Sequence, residues 1–341
     1  MAVLLLFAKF SDYFPYFRVM EKRGLLIYPS TTPRGNNAFG WFREAAARHG
    51  MSVEVLFYDA PATEAPAGAP AWKPDFVLMR GYNIALSRWY GVQGVPVLNA
   101  PEAMILCRDK LRCGEVLAAA GVPVPGALSP EEARSGDAFP FILKLNFGSK
   151  GENVFLVRNA LEYRSALEAC RREEALRLEA LSRGISEFGE TPEEVRRGCV
   201  PVLQEFVATS SGRDIRVWVT GNEVAGHVLR YNPSSFKSNF AAGGSFRQIP
   251  LPPAAASLAV AAARACGLFF AGVDLLFDDD AGAIADCSAV SHSEDPSCVS
   301  AYTGGFKVCE VNGNAGFRTA SADIPDALFR NLARKSSYNP I

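Results

Sequence analysis

Oxygen-bearing side chains near a strand end are the first sign of chemistry in this chain. The segment Lys307-Val308-Cys309-Glu310-Val311-Asn312-Gly313-Asn314 reads as a short strand over 306–311 that runs into a glycine turn. Strand side chains alternate faces, so Glu310 and Asn312 are expected to point the same way. A carboxylate and an amide oxygen side by side form a hard-oxygen site, which suits Mg²⁺ shared with substrate phosphates. Asp274, one acid in the apolar run Gly272-Val273-Asp274-Leu275-Leu276-Phe277, is the third ligand candidate. An acid there is either functional or badly placed. The plainer alternative makes Glu310 a solvated edge residue.

A second feature could hold phosphate. The segments 139–145 and 153–157 read as antiparallel strands around the turn Asn146-Phe147-Gly148-Ser149-Lys150-Gly151. Small glycine-bearing turns offer backbone N–H groups to anions. Lys144 projects from the apolar strand just before that turn.

The elements that must position these residues follow from periodicity. Strands at 24–28, 53–58, 74–79 and 96–99 alternate with helices at 36–49 and 84–90, which predicts a parallel sheet with helices on its faces. Ligands in such sheets bind beyond the carboxyl ends of the strands. Asn99 and the turn Arg80-Gly81-Tyr82-Asn83 are expected there, and Arg80 reads equally as a clamp for a substrate carboxylate or as an ordinary loop cation. Helices follow at 101–106, with Pro101 in the first turn, and at 110–120, then a linker over 123–126. A charged helix at 161–183 precedes a polar stretch over 184–198, read as a solvated surface insertion. A strand at 202–207, a hairpin at 213–219 and 223–230, a loop from 231 to Gly243-Gly244, a helix at 253–266, the strand bearing Asp274 and a final helix at 326–333 complete the order.

With 341 residues, 49% of them hydrophobic, the chain suits two or three domains with real cores. With a formal net charge of −1 and no basic block, nothing points to a nucleic-acid partner, and none is expected. No run approaches the ~20 apolar residues of a membrane helix. The apolar start lacks a basic region and a cleavage site, so no signal peptide is expected. Residues 1–20 read as a leader or a misassigned start, with Met20 the more natural beginning. The eight cysteines include no Cys-x-x-Cys pair and read as reduced thiols of a cytoplasmic protein. Cys287, Cys298, Cys309 and His292 do not have the spacing of known zinc frameworks.

Taken together, the chain resembles the ATP-grasp superfamily, most closely the RimK-like carboxylate–amine ligases. The resemblance runs from about Gly24 to Leu332 and rests on Arg108-Asp109-Lys110, Ile142-Leu143-Lys144 with Gly148-Ser149-Lys150-Gly151, Gln204-Glu205-Phe206-Val207, Gly212-Arg213-Asp214-Ile215-Arg216 with Arg230 and Phe236-Lys237-Ser238-Asn239, and Asp274 with Glu310-Val311-Asn312. It implies an α/β (α+β) fold in which a Rossmann-like parallel-sheet domain (21–100) precedes a two-lobed ATP-grasp unit. Its central lobe, with the phosphate flap, would span 101–200, and its C-terminal lobe 201–335.

The resemblance also implies roles. Lys110 and Lys144 would reach the nucleotide phosphates, and the turn with Gly148, Ser149 and Gly151 would cover them. Gln204, Glu205, Phe206 and Val207 would form the hinge strand along the adenine edge. Asp214 would anchor the ribose, Lys237, Ser238 and Asn239 would line the ATP site, and Arg230 would be catalytic. Asp274, Glu310 and Asn312 would bind metal, with Mg²⁺ as two ions or Mn²⁺ in their place. The family more often has arginine where this chain has Lys237, a swap that loses bidentate geometry. Arg216 is expected to be only an ion-pair partner.

The implied reaction joins a small-molecule or peptide carboxylate to an amine or amino acid at the expense of ATP, through an acyl phosphate. The implied assembly is a dimer or tetramer. A phosphotransferase on the same fold, or a catalytically silent nucleotide-binding module, are the alternatives. A rival metal site also arises. In the family the aspartate strand turns tightly into the glutamate strand, and the corresponding spacing falls on Asp286 and Ser288. Glu310-Val311-Asn312-Gly313-Asn314-Ala315-Gly316 matches the family motif residue by residue, which makes the stretch over 278–305 an enlarged hairpin tip beside the site.

Overall fold

The computed structural model describes residues 22–59, 62–149, 151–186, 188–239, 243–278, 304–317 and 323–336. The expected leader, Lys150, the enlarged tip beyond Asp278 and the rival ligands Asp286 and Ser288 lie outside the described residues.

Apolar runs buried on both faces build the centre of the first sheet, as parallel strands require. Its strands are β1 (Lys22–Pro29), β2 (Met51–Tyr58), β3 (Phe76–Met79) and β4 (Val97–Leu98), parallel throughout in the order β2-β1-β3-β4. Helices α1 (Ala38–Arg48) and α2 (Ile84–Val92) supply the crossovers. The Asn83 side chain caps α2 by accepting from Leu86 N–H.

Two short helices lead away from this sheet, α3 (Pro101–Arg108) and α4 (Lys110–Ala119). Proline at the first position of α3 and Asp109 at the N-cap of α4 fix both starts. Next come α5 (Pro130–Ser135), β5 (Phe141–Leu145), β6 (Val154–Val157), α6 (Ala160–Ser182), α7 (Pro192–Gly198) and β7 (Pro201–Glu205). The strands form an antiparallel sheet ordered β6-β5-β7. Two sequence expectations change here. The stretch over 184–198 carries the capped helix α7 with Val195 buried, and its Glu190 and Arg197 pair with Arg108 and Asp109. Its inner side therefore packs against the root of α4, while most of its side chains, Arg197 among them, stay at the surface as the sequence suggested. A domain boundary at residue 200 would cut β7 from its partner β5, so the sheet places the change of lobe after Glu205.

The last lobe is an antiparallel sheet of β8 (Arg213–Thr220), β9 (Glu223–Tyr231), β10 (Ser245–Arg247), β11 (Phe270–Asp278) and β12 (Gly305–Asn312), ordered β10-β9-β8-β11-β12. Strand alternation sends Ile215, Val217, Val273 and Leu275 into one core with the alanines of α8 (Pro253–Ala265). Met104 and Cys107 of α3, and Cys113 and Leu117 of α4, join that core. These two helices thus pack on the C-terminal lobe, although the sequence groups them with the central one. The helix α9 (Asp323–Ser336) and Trp218 share a second core with α1 and β1.

Asn99 and Arg80 sit at this junction, and neither presents itself to a ligand there. Asn99 Oδ1 accepts from Phe269 N–H at 2.8 Å and Phe270 N–H at 2.9 Å, while its Nδ2 donates to Phe270 and Gly313 carbonyls at 2.7 Å each. Arg80 donates to the Ala315 carbonyl at 2.8 Å and lies within 5.0–5.9 Å of the Phe42, Phe270 and Phe317 rings. Both expected ligand-end residues instead fasten the parallel-sheet domain to β11 and the segment after β12.

Candidate nucleotide and metal site

The polar face of the C-terminal sheet carries a continuous row of charges. Register sets Arg230 opposite Asp214, Arg216 opposite Asp274, and Asp274 opposite Glu310. Arg230 Nε donates to Asp214 Oδ1 at 2.7 Å, and its Nη2 lies 3.0 Å from Asp274 Oδ1. Arg216 grips Asp274 with two donors, one of them at 2.7 Å from Oδ2. Burial alone would raise the Asp274 pKa, but the two guanidinium groups hold it below the ordinary 3.8. Burial alone would lower that of Arg230, but Asp214 and Asp274 hold it well above the ordinary arginine value. Arg216 is therefore the ion-pair partner its sequence position implied. Asp214 has both oxygens engaged by Arg230, so its place in this structure is beneath that arginine and not at an open ribose edge.

A bulge aims the third carboxylate. Phe306 and Val308 are buried, and simple alternation would send Glu310 to their apolar side. The register shifts between Asp274 and Leu275, leaving Cys309 as the extra residue opposite them. Glu310 and Asn312 then face out beside Asp274 and Gly272, and Val311 returns to the core. Alternation thus correctly pairs Glu310 with Asn312 but misses the bulge. Its signal was available in the sequence, because Phe306 and Val308 share their parity with Glu310 and not with Val311.

Asp274, Glu310 and Asn312 together suit a hard divalent cation. All three offer oxygen, they lie on adjacent paired strands, and Asn312 Nδ2 donates to Gly272 O at 3.4 Å, which turns its Oδ1 free of that bond. Three of the roughly four acceptor positions on the Asp274 carboxylate are taken by arginine, leaving one for a metal.

Across from this row stand lysines. Lys110 opens α4, a position the helix dipole disfavours for a cation. Its Nζ lies 3.3 Å from Glu310 Oε1 and donates to the Gly148 carbonyl at 2.7 Å. Asn146 holds the helix start by accepting from Leu111 N–H at 3.0 Å through its side chain. Lys237 donates to the Gly151 carbonyl at 2.9 Å, and burial lowers its pKa. Gly151 has φ +74°, and a Cβ there would come within 2.8 Å of Asn239, so the turn and the Lys237–Asn239 loop require glycine at their contact. Gly148 and Ser149 complete this turn, where Glu152 N–H donates to Ser149 O. Ser238 is buried on the opposing loop.

Lys144 differs from both. It is 6% exposed within the fully buried strand β5, in register with Val154 and Val202, and among the described residues its ammonium forms no ion pair with a carboxylate. Its ammonium lies close enough to Cys309 to act on that thiol, whose pKa burial pushes up to about 11.

The hinge segment joins the two lobes. Gln204 pairs with Ile142, and Glu205 N–H donates to Gly126 O at 2.7 Å. The Glu205 carboxylate takes Lys307 Nζ of β12 at 2.9 Å and Gly126 N–H at 3.0 Å, which makes it a strut between lobes. Phe206 meets the Phe236 ring edge-on at 6.5 Å, and Val207 is buried. Sequence reasoning assigned no role to Asn146 or Lys307, the residues that set the α4 root and the strut.

The match to a family model follows from this arrangement: residues 107–294 fit the RimK-like ATP-grasp domain, and the chain belongs to that family. A probable alpha-L-glutamate ligase of Hahella chejuensis is 34% identical over 204 residues, covering 57% of this chain and 59% of the relative. The chain therefore matches about three fifths of that relative's length. Human N-acetylaspartylglutamate synthase A is 27% identical over 263 residues, covering 72% of this chain and 55% of the relative. The structure of the ATP-grasp ligase PsnB, complexed with a phosphomimetic variant of its minimal precursor, Mg and ADP, superposes with a TM-score of 0.55. It is 17% identical and the match covers 92% of this chain and 99% of that one. The shared fold is thus an N-terminal parallel sheet followed by antiparallel sheets. Among the described residues no helix is long and apolar enough to cross a membrane.

Proposed function

We propose that this chain is an ATP-dependent carboxylate–amine ligase that adds an amino acid to a peptide or small metabolite through an acyl phosphate. The observation that carries the reading is Lys144, a buried cation with no anionic partner among the described residues, beside a glycine turn on whose carbonyls two further lysines rest. A cation with no carboxylate partner leaves its donors to an arriving phosphate, which forms charge-assisted hydrogen bonds with them. The names of the two relatives, a glutamate ligase and an N-acetylaspartylglutamate synthase, support an amino acid as the amine.

In this reading Lys110, Lys144 and Lys237 bind the ATP phosphates. The turn holding Gly148, Ser149 and Gly151 closes over them as the lysines exchange its carbonyls for phosphate oxygens. Gln204, Glu205, Phe206 and Val207 align the adenine edge, with Phe206 and Val207 supplying the backbone groups, since Glu205 N–H is spent on Gly126. Ser238 and Asn239 line the opposite wall. Asp214 acts as a positioning residue that orients Arg230. Asp274, Glu310 and Asn312 would hold Mg²⁺, as two ions or with Mn²⁺ as a substitute. Such a cation, when bound, neutralises charge on the phosphates.

The substrate carboxylate attacks the γ-phosphorus of ATP, and ADP leaves. The amine then attacks the acyl carbon, and phosphate leaves as the amide forms. Arg230, whose Nε and Nη2 are committed to Asp214 and Asp274, keeps Nη1 for the negative charge on the transferred phosphoryl group and on the tetrahedral intermediate. The five cations Lys110, Lys144, Lys237, Arg216 and Arg230 outnumber the carboxylates Asp214, Asp274 and Glu310, a balance that favours an anionic nucleotide.

Labelled ATP tests the proposal. ADP and phosphate should appear only when acid and amine are both supplied. ADP with a phosphorylated acceptor and no amide would identify a phosphotransferase instead. Glu310→Ala should abolish Mg²⁺-dependent ADP release and Asp286→Ala should leave most of it; the reverse would move the metal site to the rival pair.

A further inference from the structure

Outside the nucleotide site, three cysteines from three different helices converge in the C-terminal core. Cys107 lies near the end of α3, Cys113 one turn into α4, and Cys266 at the C-cap of α8. All three are buried, and their sulfurs lie within 4.8 Å of one another, with Cys113 Sγ and Cys266 Sγ 3.7 Å apart. Small apolar residues such as Ala103 and Ala263 pack the same core, so volume alone does not require sulfur at three converging positions.

We propose that Cys107, Cys113 and Cys266 form a three-sulfur binding site for a soft monovalent cation, Cu⁺. Two sulfurs held about 2.3 Å from one d¹⁰ ion are separated by roughly 3.8 Å at a tetrahedral angle and roughly 4.0 Å in a trigonal plane. The sulfurs already stand near those separations, so loading the site requires movements of an ångström or less, on the order of ordinary side-chain adjustment. Thiolate sulfur selects Cu⁺ and Zn²⁺ over hard cations. Structural Zn²⁺ sites are almost always four-coordinate, and among the described residues no fourth histidine, cysteine or carboxylate joins this group, which favours the ion that accepts three soft ligands.

The lower charge of Cu⁺ agrees with that choice, because an apolar core penalises buried charge. The ion would pin α4 to α3 and α8 three residues beyond Lys110.

The test uses the full chain under anaerobic conditions, titrated with Cu⁺ against a coloured Cu⁺ chelator, and in a parallel arm with Zn²⁺. The wild-type chain should withhold one equivalent of Cu⁺ and melt at a higher temperature when loaded. Cys113→Ala and Cys266→Ala should each bind at least tenfold more weakly and show no rise in melting temperature. Cys170→Ala, which removes a buried thiol of the central lobe, should behave as wild type. The wild-type titration and melt stand without any variant, should a core substitution prevent folding. No Cu⁺ held by the wild-type chain, equal retention by Cys113→Ala, or retention of Zn²⁺ in place of Cu⁺ would overturn the proposal. None of these readings involves ATP, so their failure leaves the ligase reading untouched.

Discussion

The two sides of the nucleotide cleft handle charge in opposite ways. On the C-terminal sheet, Asp214, Arg230, Asp274 and Arg216 form a closed network in which every carboxylate meets a guanidinium. Around the glycine turn, Lys110 and Lys237 rest on its carbonyls, Lys110 also lying beside Glu310, and Lys144 has no carboxylate partner among the described residues. The first arrangement is rigid and satisfied before any ligand arrives. The second is held by carbonyls, with Glu310 beside Lys110, and a phosphate outcompetes those carbonyls because charge-assisted hydrogen bonds are stronger than those to a carbonyl. Under the proposed function, the first group positions and the second receives the phosphates.

That contrast predicts different costs for charge removal. Asp274→Ala should have the largest effect, since it leaves Arg216 and Arg230 facing an emptied position. Breaking a buried pair costs about 3–5 kcal/mol. Urea unfolding should show that loss, and Mg²⁺-dependent ADP release should vanish with it. A variant as stable as wild type would mean the network is not closed.

Acid probes the same wall. The folded-state pKa of Asp274 lies below its ordinary value, so its contribution is present above the unfolded pKa of about 3.9 and is lost as pH falls through the folded value. Stability measured by urea should therefore fall steeply below about pH 4 in the wild-type chain, and less steeply in Asp274→Asn. Equal slopes would remove this carboxylate from the acid response.

Arg230→Lys separates position from charge. It keeps a cation but cannot hold Asp214 at two points. We expect kcat to drop about a hundredfold, the loss typical of one transition-state donor, with ATP affinity nearly unchanged. A normal kcat would take Arg230 out of the chemistry. Gly151→Ala should be milder on the fold, about 1–2 kcal/mol for a side chain at positive φ. It should slow ADP release through the crowded contact with Asn239, and an unaltered rate would mean the turn does not close.

The sequence made the receiving wall legible and the positioning wall only half so. Lys144 stands out because a charge interrupts an apolar strand, and Asp274 for the same reason. The element order of the parallel sheet was equally readable from buried runs and helical intervals. Long-range pairing was not. Nothing local says that Asp214 is consumed by Arg230, that Asn99 spends its amide on β11, or that Glu205 reaches Lys307, because each depends on register between distant strands. The polar stretch over 184–198 was legible only in part: most of its charges are solvated, but Glu190 turns inward to Arg108 and Arg197 reaches Asp109 from the surface. The bulge at Cys309 was visible as a broken alternation, yet only the pairing with β11 shows which way Glu310 turns.

The most direct test of the contrast is Lys144→Met, followed by thermal melting without ligand and by calorimetric titration with Mg²⁺·ATP. Removing a buried cation that lacks an anionic partner should leave the ligand-free chain as stable as wild type or more so. The same change should weaken ATP binding by roughly 1–3 kcal/mol, the range of a charge-assisted hydrogen bond. A less stable ligand-free chain with unchanged ATP affinity would contradict the account, because Lys144 would then be a structural cation and the wall that carries it would have no claim on the phosphates.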